Sequence, residues 1–293
     1  MGGVLAASLR RAGFAVRLAA RRPAEAARLA RTGLAVTGPD GRTARIRGLA
    51  PFSRRPAPGC TAVFVCVKSR DLGGALEAVR RAGPDAPVVG LLNGVGHAVR
   101  LRRAVGPRRT VLGSCYFAAM RSGPGAVRHA GGRLITLAEA PGNRAALRAA
   151  ASLLRKAGWQ VRLKRDERRM LWTKLVFNAA VNPAAALVRG TNGSLARDPA
   201  LREVVLKALA EAGRAAAAAG APPDAEVSAA RLLAGLRAVP DQLNSMVQDL
   251  EAGRPTEAPE LLGPLLRAAR RARTPTPTLE TFRAALRRLE TAA

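Results

Sequence analysis

Residues 61–94 read TAVFVCVKSRDLGGALEAVRRAGPDAPVVGLLNG, and this stretch decides the fold class. TAVFVCV is a continuous apolar run of the kind that forms a strand buried on both faces. SRDLGGALEAVRRAG carries helical spacing, and PVVGLLNG is a second buried strand. A strand, a helix and a strand in that order make a crossover unit, which calls for a parallel sheet covered by helices. The same alternation runs upstream. GGVLAASLRRAG (2–13) reads as a helix, FAVRLAA (14–20) as a strand and RPAEAARLARTG (22–33) as a helix. LAVTGPDGRTARIRG (34–48) reads as a hairpin turned at Pro39-Asp40-Gly41. Downstream, TVLGSCYFAA and AVRHAGGRLITLAE are extended segments separated by a Gly/Pro-rich turn, and they extend the sheet as a pair.

From about residue 166 the strand signals stop. Helical spacing covers 168–188, 198–219, 225–237, 240–252, 257–272 and 277–291, broken by RGTNGSL, GAPP and RTPTPT. The expectation is an α/β, Rossmann-type dinucleotide-binding domain over 1–165 and an all-α C-terminal domain over 166–293.

Composition narrows the function. The chain has 293 residues and a formal net charge of +29, with 49 Lys and Arg. Only five of these are Lys, and the arginines are scattered as singles and pairs along the whole chain. Aromatic residues are 3%, too few to build base-stacking platforms, so specific nucleic-acid binding is not expected. Cys60, Cys66 and Cys115 are too few and too irregularly spaced for a disulfide framework or a zinc site, and no metal is expected. They read as buried thiols of a reducing, cytoplasmic environment. No apolar run approaches the ~20 residues needed to span a bilayer, and no signal-peptide pattern opens the sequence.

A dinucleotide fold opens with a strand and then G-x-G-x-x-G at a helix start, where the pyrophosphate sits. MGGVLAASLRRAG looks like the tail of that fingerprint, with Gly2 as its third glycine; the first strand and first two glycines are absent from this sequence. Either they lie upstream of Met1 or the cofactor is held poorly. After the second strand an acidic residue would bind a ribose hydroxyl, whereas arginine accepts a 2'-phosphate. The sequence has Arg21 and Arg22 there, which favours NADPH over NADH. Open parallel sheets bind ligands at the carboxyl ends of their strands. Lys68 and Asn93 stand at two such ends, and Gly94 and Gly96 let the backbone come close to a ligand.

The helical half opens on TKLVFNAAVNP, 173–183. Lys174, Asn178 and Asn182 recur at i, i+4 and i+8, so they form one row that drifts by about 40° at each step. From Met170 to Pro183 every other residue except Thr173 is apolar or aromatic, so the row does not belong to an ordinary solvated face. Buried ammonium and amide groups need partners, and a polar cleft supplies them. Pro183 removes a backbone donor beside that row.

The run LWTKLVFNAAVNPAAAL…TNGSL, with NSMVQDLEAGRPTE and the strand ends VCVKSRD and LLNGVG, resembles the ketopantoate reductase (2-dehydropantoate 2-reductase) family. The resemblance covers essentially the whole chain except the first strand. It implies NADPH-dependent reduction of ketopantoate to pantoate, the step that feeds pantothenate and coenzyme A synthesis. It also implies Lys174 as proton donor to the ketone oxygen, and Asn178, Asn182, Asn192 and Ser245 as substrate-binding residues. Asn93 matches a position shared by nicotinamide and substrate, and Glu257 the carboxylate beside the cofactor and the substrate hydroxyl. Gly2, Arg21, Lys68 and Ala119 match cofactor contacts. Asp71, Gln242 and Leu262 depart from the residues common at their positions, which leaves the identity of the 2-oxo acid open. A reductase of another small 2-oxo acid, or a non-catalytic binding protein, are the alternatives. Apolar residues of the last two helices, Leu261, Leu262, Leu265, Leu266, Leu279, Phe282 and Leu286, suit a homodimer or an internal core equally.

Overall fold

The computed structural model describes residues 1–52, 60–225 and 227–291, and it divides into two compact units. The first comprises Met1–Leu92 and Gly96–Glu167, the second Asn93–Val95 and Arg168–Ala293.

The first unit is built on a mixed sheet. The 61–94 crossover forms as expected, with β5 (Val63–Val65), a short 3-10 turn (Ser69–Asp71), α3 (Leu72–Arg81) and β6 (Val88–Gly90). β5 and β6 are parallel, in the register Val63↔Val88, Phe64↔Val89 and Val65↔Gly90. β6 then pairs in parallel with β7 (Thr110–Gly123), which returns antiparallel along β8 (Ala126–Ala138). The hairpin of β2 (Leu34–Thr37) and β3 (Thr43–Ile46) forms at the expected turn and adds to β8 in parallel. The sheet order is β3-β2-β8-β7-β6-β5, with β9 (Gln160–Lys164) also on β8. The sheet is therefore mixed rather than all parallel, because two of its connections are hairpins too short for a crossover.

β1 (Val16–Leu18) stands in a separate two-stranded sheet with β4 (Leu49–Pro51). Among the described residues β1 pairs with β4 alone and β5 with β6 alone, so each keeps an unpaired edge. α1 (Gly2–Arg11) and α5 (Arg144–Lys156) pack Val4, Leu5, Leu9, Leu147 and Leu154 against Val89, Val111, Ile135 and Leu137. β6 is apolar and buried along its whole length, as burial on both faces demands, whereas β5, at the end of the sheet order, is buried only at Val65 with Val63 and Phe64 half-buried, so the fully buried strand expected there is half-covered.

Among its described residues the second unit holds helices and no strand: α6 (Glu167–Leu187, begun in the first unit), α7 (Asn192–Arg197), α8 (Pro199–Ala218), α9 (Ala229–Ala238), α10 (Ser245–Glu251), α11 (Ala258–Arg271) and α12 (Pro277–Thr291). Glu226, inside the helix expected over 225–237, lies outside the described residues. α6 runs straight through Pro183, so the proline removes one helix bond without ending the helix. The apolar residues that suited either a dimer or a core, from Leu261 to Leu286, are all buried in this unit's own core. A buried carboxylate, Glu211, caps α12 by accepting from Thr278 N at 3.1 Å and Leu279 N at 3.0 Å. No helix among the described residues is long and apolar enough to cross a membrane.

Candidate active site

In the second unit, α6 carries Lys174, Asn178 and Asn182 along one side. Lys174 and Asn178 are half-buried, and Asn182 is buried. The helix is apolar around them, with Leu175, Val176, Ala179, Ala180 and Val181 all in the core. The row is thus neither a solvated face nor sealed polar matter.

Asn192 is the first residue of α7 and is buried. Its backbone N–H donates to Gln242 O at 3.0 Å, and Gly193 N–H to Pro240 O at 2.7 Å. Those two bonds tie the start of α7 to the loop that leads into α10, where Ser245 is the first helical residue and half-buried. Asn244, just before it, caps α10 by accepting through Oδ1 from Met246 N at 3.0 Å and Val247 N at 3.2 Å. Because Asn244 does the capping, the Ser245 hydroxyl is not spent on the helix end.

Glu257 is buried, and its carboxylate Oε2 accepts from Asn93 Nδ2 at 3.0 Å. An acidic residue beside a helix start is ordinarily a cap, but here Thr256 Oγ1 takes that role by accepting from Ala258 N at 3.1 Å. The carboxylate faces Asn93 instead. Gly94 explains how this segment comes so near α11. Its φ is +79°, and a Cβ there would lie 3.0 Å from the Glu260 carbonyl oxygen. The sequence points to a ligand as the reason for Gly94, but what its missing Cβ makes room for is the α11 backbone, while Gly96 sits before α4 (His97–Val105) with open space around it.

Residues inside the same motif as Glu257, with no role foreseen from sequence, hold the Glu257 turn. Asp249, buried on α10, pairs with Arg254 (Oδ1 to Nε, 3.1 Å), and Arg254 also donates through Nη2 to Gln248 O at 2.9 Å. Gln248 Nε2 in turn donates to Leu243 O at 2.9 Å. The Q-D-x-x-x-x-R-x-T-E pattern was visible as a motif; its interior residues build the turn.

In the first unit, α1 starts at Gly2, where a Cβ would come 3.2 Å from Cys66 Cβ at the carboxyl end of β5. Lys68, half-buried, follows two residues later. Burial holds the Met1 ammonium below its usual range, Cys66 and Cys115 raise it, and the nearby Lys68 charge adds to the lowering. Arg21, beyond β1, is exposed and forms a 3.8 Å ion pair with Asp71, which follows Lys68 in the 3-10 turn. Ala119 is half-buried on β7 and paired with His129 on β8. Cys115 is buried as expected, whereas Cys60 and Cys66 are half-buried; loss of solvent around the Cys66 thiol, with Cys115 nearby, pushes its pKa up to about 12, so it stays protonated at neutral pH. Among the described residues no three His, Cys, Asp or Glu side chains gather as a metal site.

A Rossmann-like sheet unit with an uncapped glycine helix start, joined to an all-helical unit with a lysine and carboxamide row, is the build of a nucleotide-dependent oxidoreductase. Comparison with known proteins makes the class specific. The family model described as "Ketopantoate reductase PanE/ApbA" matches residues 1–142, and "Ketopantoate reductase PanE/ApbA C terminal" matches 166–290. The 2-dehydropantoate 2-reductase of Halobacterium salinarum is 33% identical over 272 residues, covering 92% of this chain and 88% of that protein. The crystal structure of 2-dehydropantoate 2-reductase from Geobacter metallireducens GS-15 is 26% identical, with a TM-score of 0.86 over 98% of this chain and 96% of that one. A D-mandelate dehydrogenase solved with NADH and anilino(oxo)acetate shares the fold, with a TM-score of 0.88 at 19% identity over 100% of this chain and 96% of that one. The chain belongs to the ketopantoate reductase family.

Proposed function

We propose that the protein reduces 2-dehydropantoate to pantoate with NADPH, with Lys174 as the proton donor. The observation that carries this reading is the half-buried Lys174–Asn178–Asn182 row in an otherwise apolar helix, in a chain 33% identical to a 2-dehydropantoate 2-reductase over nearly its whole length.

The dinucleotide, when bound, supplies the hydride. The residues present suit it. The α1 N-terminus has no side-chain cap and no acidic residue in its first turn, so its free N–H groups favour an anion. Gly2, Lys68 and Ala119 would hold the dinucleotide, and exposed Arg21 would meet a 2'-phosphate. Hydride arrival at a ketone carbon puts negative charge on its oxygen. An ammonium at that oxygen stabilises the charge and then delivers the proton, leaving a hydroxyl group and a neutral amine. Asn178, Asn182, Asn192 and Ser245 would fix the substrate carboxylate and hydroxyl by hydrogen bonds. Asn93, oriented by Glu257, would steady the carbonyl end.

Oxidation of NADPH in the presence of ketopantoate tests the reaction, against a panel of other small branched 2-oxo acids. Ketopantoate should give the highest kcat/KM. A higher value for another 2-oxo acid would move the substrate assignment; of the departures at Gln242 and Leu262, Leu262 is sealed in the core, which leaves Gln242, whose backbone carbonyl accepts from Asn192 N, as the place where that difference would arise. No turnover of any of them, with no NADPH binding, would favour a non-catalytic role.

A further inference from the structure

A concave site lies in the helical unit, between α11 and α12. It is a cavity of about 300 Å3 whose wall carries Arg267 and Arg270 from α11, Arg283 and Arg287 from α12, and one carboxylate, Glu290. That volume is at the lower end of the ~300–1,000 Å3 typical of small-molecule sites. The charge is lopsided. None of the four guanidinium groups makes a hydrogen bond or ion pair among the described residues. The one carboxylate is already engaged, because Glu290 Oε1 accepts from Thr256 N at 2.7 Å.

A basic surface is unremarkable in a chain of net charge +29, so the contrast with the rest of this unit matters. Elsewhere in it Arg169 pairs with Asp224, Arg254 with Asp249 and Lys207 with Glu203. At the cavity the arginines stand i, i+3 on one helix and i, i+4 on the other, spacings at which like charges repel. Two helices thus aim unpaired forks of the same sign into one hollow. Guanidinium forks match phosphate oxygens two at a time, and several phosphate oxygens bridged on adjacent groups use all four forks where one carboxylate would use one or two. Most of the α11 wall of the cavity also faces away from Glu257: at 100° per residue, positions 259, 263, 266 and 270 lie about 120–180° round the helix from 257, while Ala258 and Arg267 form the side of the cavity nearer to it.

We propose that the α11–α12 cavity is a binding site for a diphosphate-bearing anion, separate from the candidate active site. Titration calorimetry of the full chain with inorganic pyrophosphate at ~0.15 M salt, where weak surface attraction is screened, tests it. The expected result is one site per chain, weakened about tenfold or more in both Arg283→Gln/Arg287→Gln and Arg267→Gln/Arg270→Gln. Arg231→Gln/Arg237→Gln, which removes the same charge from exposed positions on α9, should leave it unchanged. Parallel titrations with ADP and citrate separate a nucleotide from the free anion and from a polycarboxylate. Equal or tighter binding of citrate would overturn the phosphate assignment. The proposal also fails if binding is absent, if all three variants lose it alike, or if it survives both cavity variants and is displaced by NADPH. Binding abolished because a second copy of the chain covers the cavity, seen as a dimer that the cavity variants dissociate, would overturn it as well.

Discussion

Asn93 Nδ2 donates to Glu257 Oε2 at 3.0 Å, a bond between residues 164 positions apart that sets an amide and a carboxylate side by side at the start of α11. Glu257 is buried, so its charge depends on donors such as this one. Replacing Glu257 by Leu would leave the Asn93 amide without this acceptor, at a cost of about 1–3 kcal/mol. Glu257→Gln retains an acceptor and should fold with a near-normal unfolding midpoint. If the pair orients substrate or cofactor, Glu257→Gln lowers kcat/KM for ketopantoate by about tenfold or more while stability is nearly unchanged. Steady-state kinetics beside urea unfolding separates the two effects, and parallel small losses in both would reduce the pair to a structural one.

The Asp249–Arg254 pair predicts a different pattern. Asp249 is buried and Arg254 half-exposed, so Arg254→Ala leaves a buried carboxylate short of its guanidinium at a cost of about 2 kcal/mol. It also frees the turn that presents Thr256 and Glu257. A lower urea midpoint together with a raised KM is expected. Arg254→Lys should recover only part of both, because a single ammonium cannot serve Asp249 Oδ1 and Gln248 O with the same fork.

Cofactor preference should turn on Arg21 and Asp71. Their 3.8 Å ion pair is exposed and worth little to stability. Asp71 nevertheless places a negative charge beside the arginine proposed to meet the 2'-phosphate. Asp71→Asn should lower KM for NADPH by about threefold and leave that for NADH unchanged, since removing a surface charge of this kind is worth under about 1 kcal/mol. Arg21→Ala should raise KM for NADPH selectively. Equal effects on both nucleotides would place the 2'-phosphate elsewhere.

His97 gives the fold an acid limit. It is buried on α4, and neither ring nitrogen has a hydrogen-bond partner among the described residues. Burial, aided by the nearby Arg102 charge, lowers its pKa from 6.5 to about 4. Between those values the unfolded chain takes up a proton that the folded chain refuses. Stability therefore falls as pH drops from about 6.5 to about 4, by about 3 kcal/mol in all. Glu167, paired with Arg102, has its pKa raised by burial and contributes with the opposite sign, losing stability as pH rises above 4.5. The difference between the wild type and His97→Leu isolates the histidine: the variant should lose much of the acid sensitivity above pH 4. An unchanged pH profile of the unfolding midpoint would contradict the shift.

Much of this architecture was legible wherever apolar spacing was long or punctuated. The 61–94 crossover, the 34–46 hairpin with its Pro-Asp-Gly turn and α6 all stand where periodicity placed them. Short elements held by partners escaped. β4 is three residues ending in Pro51 and exists through its pairing with β1, while β9 has Leu163 half-exposed and relies on β8. α7 is six residues in a Gly-rich break, set by Thr191, which accepts from Ser194 N, rather than by any pattern. α5 carries an apolar stripe, Leu147, Ala150, Ala151 and Leu154, whose 3.6-residue spacing is a helix signal in the sequence itself. At the site, the α6 row followed from 3.6-residue spacing. The Asn93–Glu257 bond and the Asp249–Arg254 pair did not, because each depends on how the chain folds back on itself.

Proton delivery by Lys174 stands or falls on kcat for ketopantoate in Lys174→Ala with saturating NADPH. A loss of about two to four orders of magnitude, the scale of general acid catalysis, is expected, with NADPH affinity and unfolding midpoint close to those of the wild type. A Lys174→Ala protein that turns over ketopantoate at the wild-type rate would contradict it.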